Sequence, residues 1–175
     1  MNGKASLIQP ATVRFERLLP GPIERVWEYL TVSDKRATWL AAGEFDLRVG
    51  GRIELHFDNE SLCEEKPPKG ARGAGKHTHA GVITRLEPPR ALGHTWGWEG
   101  GETEVLYELT PKGKDVLLVI HHRLMDDRGL KIAVGGGWGA HTGILEDVLN
   151  GVKPRGFWST HDKLMKEFET TAMAA

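Results

Sequence analysis

The feature that most constrains this chain is a run of about eighty residues, from Gly43 to Arg123, in which apolar and polar side chains alternate with a period of two. Side chains of a β-strand point to opposite faces in turn, so this pattern predicts strands that bury one face. Turn-forming residues interrupt the run at short intervals, and strands joined by short turns form an antiparallel meander. The middle of the chain is therefore predicted to be a sheet.

The alternation and its turns divide the sheet region into separate strands. We expect strands at residues 12–18, 44–49, 53–57, 77–87, 91–98, 103–110 and 114–123. The Gly50-Gly51 pair is typical of a tight turn, which predicts a hairpin between the second and third of these. Residues 58–75 are rich in Gly, Pro, Lys and Glu and show no period, which predicts a flexible loop long enough to act as a lid.

Helical periodicity lies on both sides of the sheet region. The apolar stripe from Ile23 to Leu30 predicts a short helix after the first strand, and Ser33 or Asp34 can cap a second one that continues to residue 40. The longest helix is predicted at residues 138–149, preceded by a flexible Gly135-Gly136-Gly137 stretch. An additional C-terminal helix is predicted at residues 154–170, because Pro154 cannot continue the preceding helix.

Length and composition limit the partners of the protein. The 175 residues fit a single domain, 1–175, with a sizeable core. The 23 Lys and Arg residues balance 24 Asp and Glu residues, so no long-range attraction for nucleic acid is expected. The longest strongly apolar stretch, residues 116–120, is too short to span a membrane. The single cysteine and a start without a signal peptide lead us to expect a cytoplasmic protein.

Several motifs occur in an order that is typical of one family. They are Asp46-Leu47-Arg48-Val49-Gly50-Gly51-Arg52, then Leu86-Glu87-Pro88-Pro89-Arg90-Ala91-Leu92 followed by Thr95-Trp96, then Gly137-Trp138-Gly139, together with residues 22–30 around Trp27 and Trp39-Leu40. Over residues 12–151 the chain resembles proteins similar to the activator of heat-shock protein 90 ATPase, a branch of the START and polyketide-cyclase (SRPBCC) superfamily. It departs from them in the longer 58–75 loop and in the helix after Gly151.

The resemblance implies an α+β helix-grip fold. In that fold a curved antiparallel sheet wraps around a long C-terminal α-helix, two short helices follow the first strand, and a cavity lies between the sheet and the long helix. The superfamily includes lipid carriers, cyclases and chaperone cofactors, so the fold alone does not choose a function.

Aromatic and histidine side chains are predicted to line this cavity, because they share strand or helix faces with apolar residues. They are Phe57, His94, Trp96, Trp98, Tyr107, His122, Trp138 and His141. Two alternatives stay open. Each ring can fill the core without contacting a ligand, and the three histidines can be neutral core residues bonded to nearby carbonyl groups.

Metal, cofactor and nucleophilic chemistry find little support in the sequence. The pairs His77-Thr78-His79 and His121-His122 lack the Cys or Glu partners of a zinc site, and we expect neither a metal nor a cofactor. Cys63 lies in the charged loop with no obvious base nearby, which predicts an exposed, non-catalytic thiol. Three carboxylates are expected on the solvated face of the sheet: Glu102, Glu104 and Glu108.

Three functions are compatible with these residues. The favoured hypothesis is the binding of a small hydrophobic molecule in the cavity. The alternative is an enzyme that cyclises, dehydrates or hydrolyses an apolar substrate with His94, His122 or His141 as the acid or base. The second alternative, a chaperone-ATPase cofactor, needs a surface patch that the sequence does not clearly show. A homodimer is expected only because dimers are common.

Overall fold

A computed structural model describes residues 3–9, 12–98, 101–124 and 128–173 of the chain. In chain order the elements are β1 (Lys4–Gln9), β2 (Thr12–Pro20), α1 (Ile23–Thr31), α2 (Ser33–Arg36), β3 (Arg52–Asp58), β4 (Lys76–Glu87), β5 (Ala91–Trp98), β6 (Gly101–Lys112), β7 (Asp115–Arg123), α3 (Arg128–Leu149) and α4 (Phe157–Met173), with a 3-10 turn at Asn59–Ser61. None of these helices has the length and apolar character needed to cross a membrane.

The strands form one antiparallel sheet in the order β1-β2-β7-β6-β5-β4-β3. Strands β3 to β7 are the predicted meander. Strand β2 closes the other side by pairing with β7 along its whole length, from Thr12 opposite Arg123 to Pro20 opposite Asp115. Strand β1 extends the sheet beyond β2 and was not predicted, because residues 4–9 show no clear alternation.

The predicted strand at residues 44–49 is wrong. This segment makes only isolated bridges to β3, at Phe45 opposite Ile53 and Ala42 opposite His56. Tight turns follow these bridges, since the Arg48 N–H donates to the Asp46 carbonyl and the Gly51 N–H donates to the Arg48 carbonyl. Of the alternating apolar residues in this segment, Phe45 is half-buried whereas Leu47 and Val49 are exposed, so the period-two pattern here produces neither a strand ladder nor a buried face.

Helix α3 is the long helix that the curved sheet grips, and it begins ten residues earlier than predicted. The Gly135-Gly136-Gly137 run lies inside it, so the prediction of a flexible stretch before the helix is wrong. A Cβ atom on Gly136 would lie 2.9 Å from Met165 Cγ and 3.3 Å from the His161 carbonyl oxygen. The missing side chain thus lets α4 pack closely against α3.

A buried arginine ties the sheet to α3. Arg17 of β2 is fully buried, and its guanidinium donates to Thr142 Oγ1 (3.0 Å), to the Gly139 carbonyl oxygen (3.2 Å) and to the Glu146 carboxylate (2.7 Å). Desolvation lowers the pKa of Arg17, and the Glu146 charge opposes that shift. These contacts fix the position of α3 across the sheet.

Candidate functional site

A cavity of about 540 Å³ lies between the sheet, α3, the start of α4 and the 58–75 segment. Its wall is made by Leu40, Phe57, Asn59, Arg72, Gly73, Ala74, His77, His79, Trp96, His122, Leu130, Ala133, Val134, Gly137, Trp138, His141, Phe157 and His161. Arg72, Ala74 and His77 are the exposed members of this wall, and we call them the mouth. Trp96, His122 and Trp138 are buried, and we call them the inner wall.

The inner wall is a set of packed rings. Trp96 of β5 and Trp138 of α3 meet edge to face, with ring centroids 5.7 Å apart and an angle of 83° between the ring planes. Phe57 of β3 lies 5.6 Å from Trp96, and His122 of β7 lies 5.5 Å from it. Strand alternation turns these rings inward, and the sheet brings together residues that are far apart in sequence. The resulting surface is broad, aromatic and apolar.

Both ring nitrogens of His122 have protein partners. Trp138 Nε1–H donates to His122 Nδ1 over 3.1 Å. The Thr103 hydroxyl donates to the Trp96 carbonyl oxygen (2.9 Å), so its lone pair accepts from His122 Nε2–H (3.0 Å). These bonds fix a neutral tautomer with its proton on Nε2. Burial is the main reason that the pKa of His122 is lowered to about 3.

His141 of α3 also lines the cavity, but only one of its ring nitrogens is used. Nδ1–H donates to the backbone carbonyl of Trp39 over 2.8 Å, which leaves the lone pair on Nε2. Within the described part of the chain no group bonds to that Nε2. Burial lowers the pKa of His141 to about 4, so the ring is neutral at pH 7.

Two predicted residues, His94 and Tyr107, are absent from the cavity wall. His94 is completely buried: its Nδ1–H donates to the Thr95 carbonyl oxygen (2.9 Å), and its Nε2 accepts from the Tyr107 hydroxyl (3.2 Å). Phe45 covers this end of the sheet, 5.9 Å from the His94 ring, and the Arg36 guanidinium lies 3.7 Å above Phe45. The alternative of a core histidine bonded to a carbonyl group therefore describes His94.

The structure places the other predicted residues as follows. Phe57, Trp96, His122, Trp138 and His141 lie together on the cavity wall. The backbone of Trp98 ends β5, and its side chain lies outside the described residues.

Burial lowers the pKa of His94 to about 4 and raises the pKa of Tyr107.

Three further histidines, which we call the rim histidines, line the cavity and were not predicted. His77 stacks on Phe57 with centroids 4.9 Å apart, His79 Nδ1–H donates to the Gly97 carbonyl oxygen (2.8 Å), and His161 Nε2–H donates to the Ala133 carbonyl oxygen (3.2 Å). His77 and His79 are two positions apart and therefore share the inward face of β4. That spacing is a usable sequence signal for a shared inward face.

The 58–75 segment covers one side of the cavity and is bonded to the beginning of α4 and to the residues just before it. The Phe157 N–H donates to Cys63 Sγ (3.4 Å), the Ser159 N–H donates to the Glu65 carboxylate (3.1 Å), and Lys153 Nζ lies 2.6 Å from Glu64. Cys63 is half-buried, so the prediction of an exposed thiol is wrong. The flexibility of the segment stays a prediction.

The charges of the wall are asymmetric. Among its described residues Arg72 is the one Lys or Arg, and no Asp or Glu is present. No group of three or more His, Cys, Asp or Glu side chains that could hold a metal ion occurs in residues 3–9, 12–98, 101–124 and 128–173.

On the opposite face of the sheet, Glu104 and Glu108 lie near Arg123 and His121, as expected for solvated carboxylates.

Comparisons with solved structures find proteins of the same fold. The solution structure of the protein encoded by gene BPP1335 of Bordetella parapertussis is 40% identical, with 96% of this chain and 90% of that chain covered and a TM-score of 0.80. The crystal structure of CalU16 from Micromonospora echinospora is 21% identical, with 97% and 98% covered and a TM-score of 0.71. Protein MLL2253 from Mesorhizobium loti is 23% identical, with 80% and 97% covered and a TM-score of 0.64.

Sequence comparison places the chain in a family. None of the curated proteins compared with it is significantly similar. The model of one protein family, described as "Activator of Hsp90 ATPase homolog 1-like protein", matches residues 20–150. That match covers the first helices, strands β3 to β7 and all of α3, but not α4, whose Phe157 and His161 also line the cavity. The chain therefore belongs to the activator of Hsp90 ATPase homolog 1-like family, with the helix-grip fold of that family.

Proposed function

We propose that this protein binds a small, largely apolar molecule in the cavity between its sheet and α3. The observation that carries the proposal is a space of about 540 Å³ that is walled by aromatic rings from strands and helices. Ligand cavities of roughly 300 to 1,000 Å³ with mainly apolar walls and a few polar groups are typical of small-molecule sites. Flat rings of a ligand can pack against Trp96 and Trp138, and the hydrogen bond to His122 holds the Trp138 ring in place.

The same geometry favours binding over catalysis. A general base needs a free lone pair and a pKa near the working pH. His122 uses both nitrogens within the protein, and the pKa of His141, lowered by burial to about 4, makes its free Nε2 a weak base at pH 7. Among the described wall residues there is also no carboxylate to stabilise a protonated imidazole.

Gly137 offers a test that leaves the native wall contacts in place. It lies on the cavity side of α3, and a Cβ atom added there meets no atom within 4 Å. Gly137→Leu therefore fills part of the cavity, while leucine favours the helix by roughly 1 kcal/mol relative to glycine. Gly137→Ala is the matched control, since it gives the same backbone change with a single methyl group.

The measurement is fluorescence titration with 1-N-phenylnaphthylamine, a neutral probe that brightens in apolar surroundings. We expect the wild type and Gly137→Ala to bind it similarly, and Gly137→Leu to bind it about tenfold more weakly or not at all. Thermal unfolding would verify that both variants are folded. Equal binding by a folded Gly137→Leu would place the probe elsewhere and refute the proposed site.

A further inference from the structure

The mouth carries a cation that has no counter-ion among the described residues. Arg72 is exposed, lines the cavity, and forms no ion pair with any carboxylate in the described part of the chain. Elsewhere on the surface, exposed arginines such as Arg48 and Arg52 are paired with acidic neighbours two positions away. No described carboxylate neutralises the charge at the mouth, and we take it as the contact point for a partner from outside the chain.

The backbone around Arg72 is held in place by the cavity wall. Asn59, which is 4% exposed, donates from Nδ2 to the Gly73 carbonyl oxygen over 3.1 Å. The Ala74 N–H closes a turn on the Ala71 carbonyl oxygen over 3.2 Å. The backbone next to Arg72 is thus positioned by the buried Asn59 side chain of the same wall.

Burial disfavours a positive charge on four of the wall histidines: His79, His122, His141 and His161. Burial is the largest cause that lowers the pKa of His79 and of His161, and the nearby Arg72 charge lowers the pKa of His161 further. The buried His122 and His141 are neutral at pH 7, because burial also lowers their pKa values. A bound cation would find no carboxylate on the described wall, and it would be repelled by Arg72.

We propose that the molecule bound in the cavity combines an apolar body of one or more rings with a single anionic group, such as a carboxylate, that pairs with Arg72 at the mouth. This inference rests on the proposed function and adds the chemical class of the ligand. The planar guanidinium matches the two oxygens of a carboxylate, and charge-assisted hydrogen bonds of this kind are the stronger ones in proteins. Because the mouth is exposed, the anion keeps part of its hydration while the rings are buried.

Two related probes separate the anionic group from the apolar body. 8-Anilino-1-naphthalenesulfonate has the phenyl-naphthyl-amine skeleton of 1-N-phenylnaphthylamine plus one sulfonate. The variant is Arg72→Gln, and the control is Arg90→Gln, an exposed arginine in the β4–β5 turn that does not line the cavity. Titrations of both probes into all three proteins would be performed at pH 7.5 and low salt.

We expect Arg72→Gln to weaken binding of the sulfonate probe about fivefold to tenfold and to change binding of the neutral probe by less than about twofold. Arg90→Gln should change neither. Added salt should weaken binding of the sulfonate probe but not of the neutral probe, since salt screens exposed charges. Binding of the sulfonate probe that is unaffected by Arg72→Gln, or that persists in Gly137→Leu, would overturn the inference. Failure of the neutral probe to bind the wild type would instead refute the proposed function.

Discussion

The inner wall and the mouth of the cavity are built on different principles. At the inner wall, polar atoms of His122, Thr103 and Trp138 bond to one another, and the rings are buried. At the mouth Arg72, Ala74 and His77 are exposed, and the covering segment is held by half-buried and surface contacts to α4 and to Lys153, which precedes α4. The inner wall is thus buried and internally hydrogen-bonded, whereas the mouth is exposed and carries the Arg72 charge.

The largest expected effect is on the inner wall. Trp96 is 6% exposed and contacts Phe57, His122 and Trp138. Trp96→Ala should lower the free energy of unfolding by about 3–5 kcal/mol, because removal of a buried ring leaves a void. It should also weaken binding of the neutral probe, because the probe loses an aromatic wall surface. Arg72→Ala at the mouth should change stability by only about 0.5 kcal/mol or less. Urea denaturation measures both, and similar losses for the two variants would remove the distinction.

The next effect is a loss of stability in acid, caused by the buried histidines. The pKa of His141 is lowered by burial to about 4 from an ordinary value of 6.5, so the unfolded chain binds more protons between these values. The contribution is complete above pH 6.5 and is lost as the pH falls toward 4, by about 1.4 kcal/mol per pH unit for each such histidine. The free energy of unfolding should therefore decrease from pH 7 to pH 5.

His141→Asn sharpens this prediction, because the asparagine amide can still donate to the Trp39 carbonyl without titrating. The slope of unfolding free energy against pH between 6 and 5 should become shallower by about 1.4 kcal/mol per pH unit. An unchanged slope in urea titrations at several pH values would mean that His141 does not contribute to the acid sensitivity.

The last prediction compares the stability effects of alanine at two adjacent glycines of α3. Gly136→Ala places a methyl group against Met165 and the His161 backbone, and should destabilise by roughly 1–3 kcal/mol. Gly137→Ala points into the cavity and should stabilise by up to about 1 kcal/mol. Opposite signs in chemical denaturation would show that one side of the helix is packed and the other is hollow. A loss of stability in both variants would argue against an open space at Gly137.

Much of the architecture was predictable because periodicity reports which side of an element is buried. The strands β4 to β7, the first helix and the helical end of the chain follow from local patterns, and the family resemblance is confirmed. Arg17 shares its face of β2 with Val13 and Phe15, so its inward direction could be inferred. Its partners Thr142 and Glu146 could not, because they are more than 120 residues away in sequence.

The candidate site was less predictable for the same reason. His94 and His122 both occupy inward positions of central strands, yet only His122 reaches the cavity. Phe45 and Arg36 cover the end of the sheet near His94, whereas the 58–75 segment leaves a space near His122. No local pattern distinguishes these two positions.

The sequence by itself determined strands β2 to β7 in their order along the chain, the helices on both sides of the sheet region, the inward faces of these strands and the family. Only the tertiary structure decided which inward residues pack against other side chains and which surround a space, and that Arg72 lies at its mouth. The physical reason is that a cavity is the volume left unfilled by segments far apart along the chain, whereas alternation along one strand reports only burial.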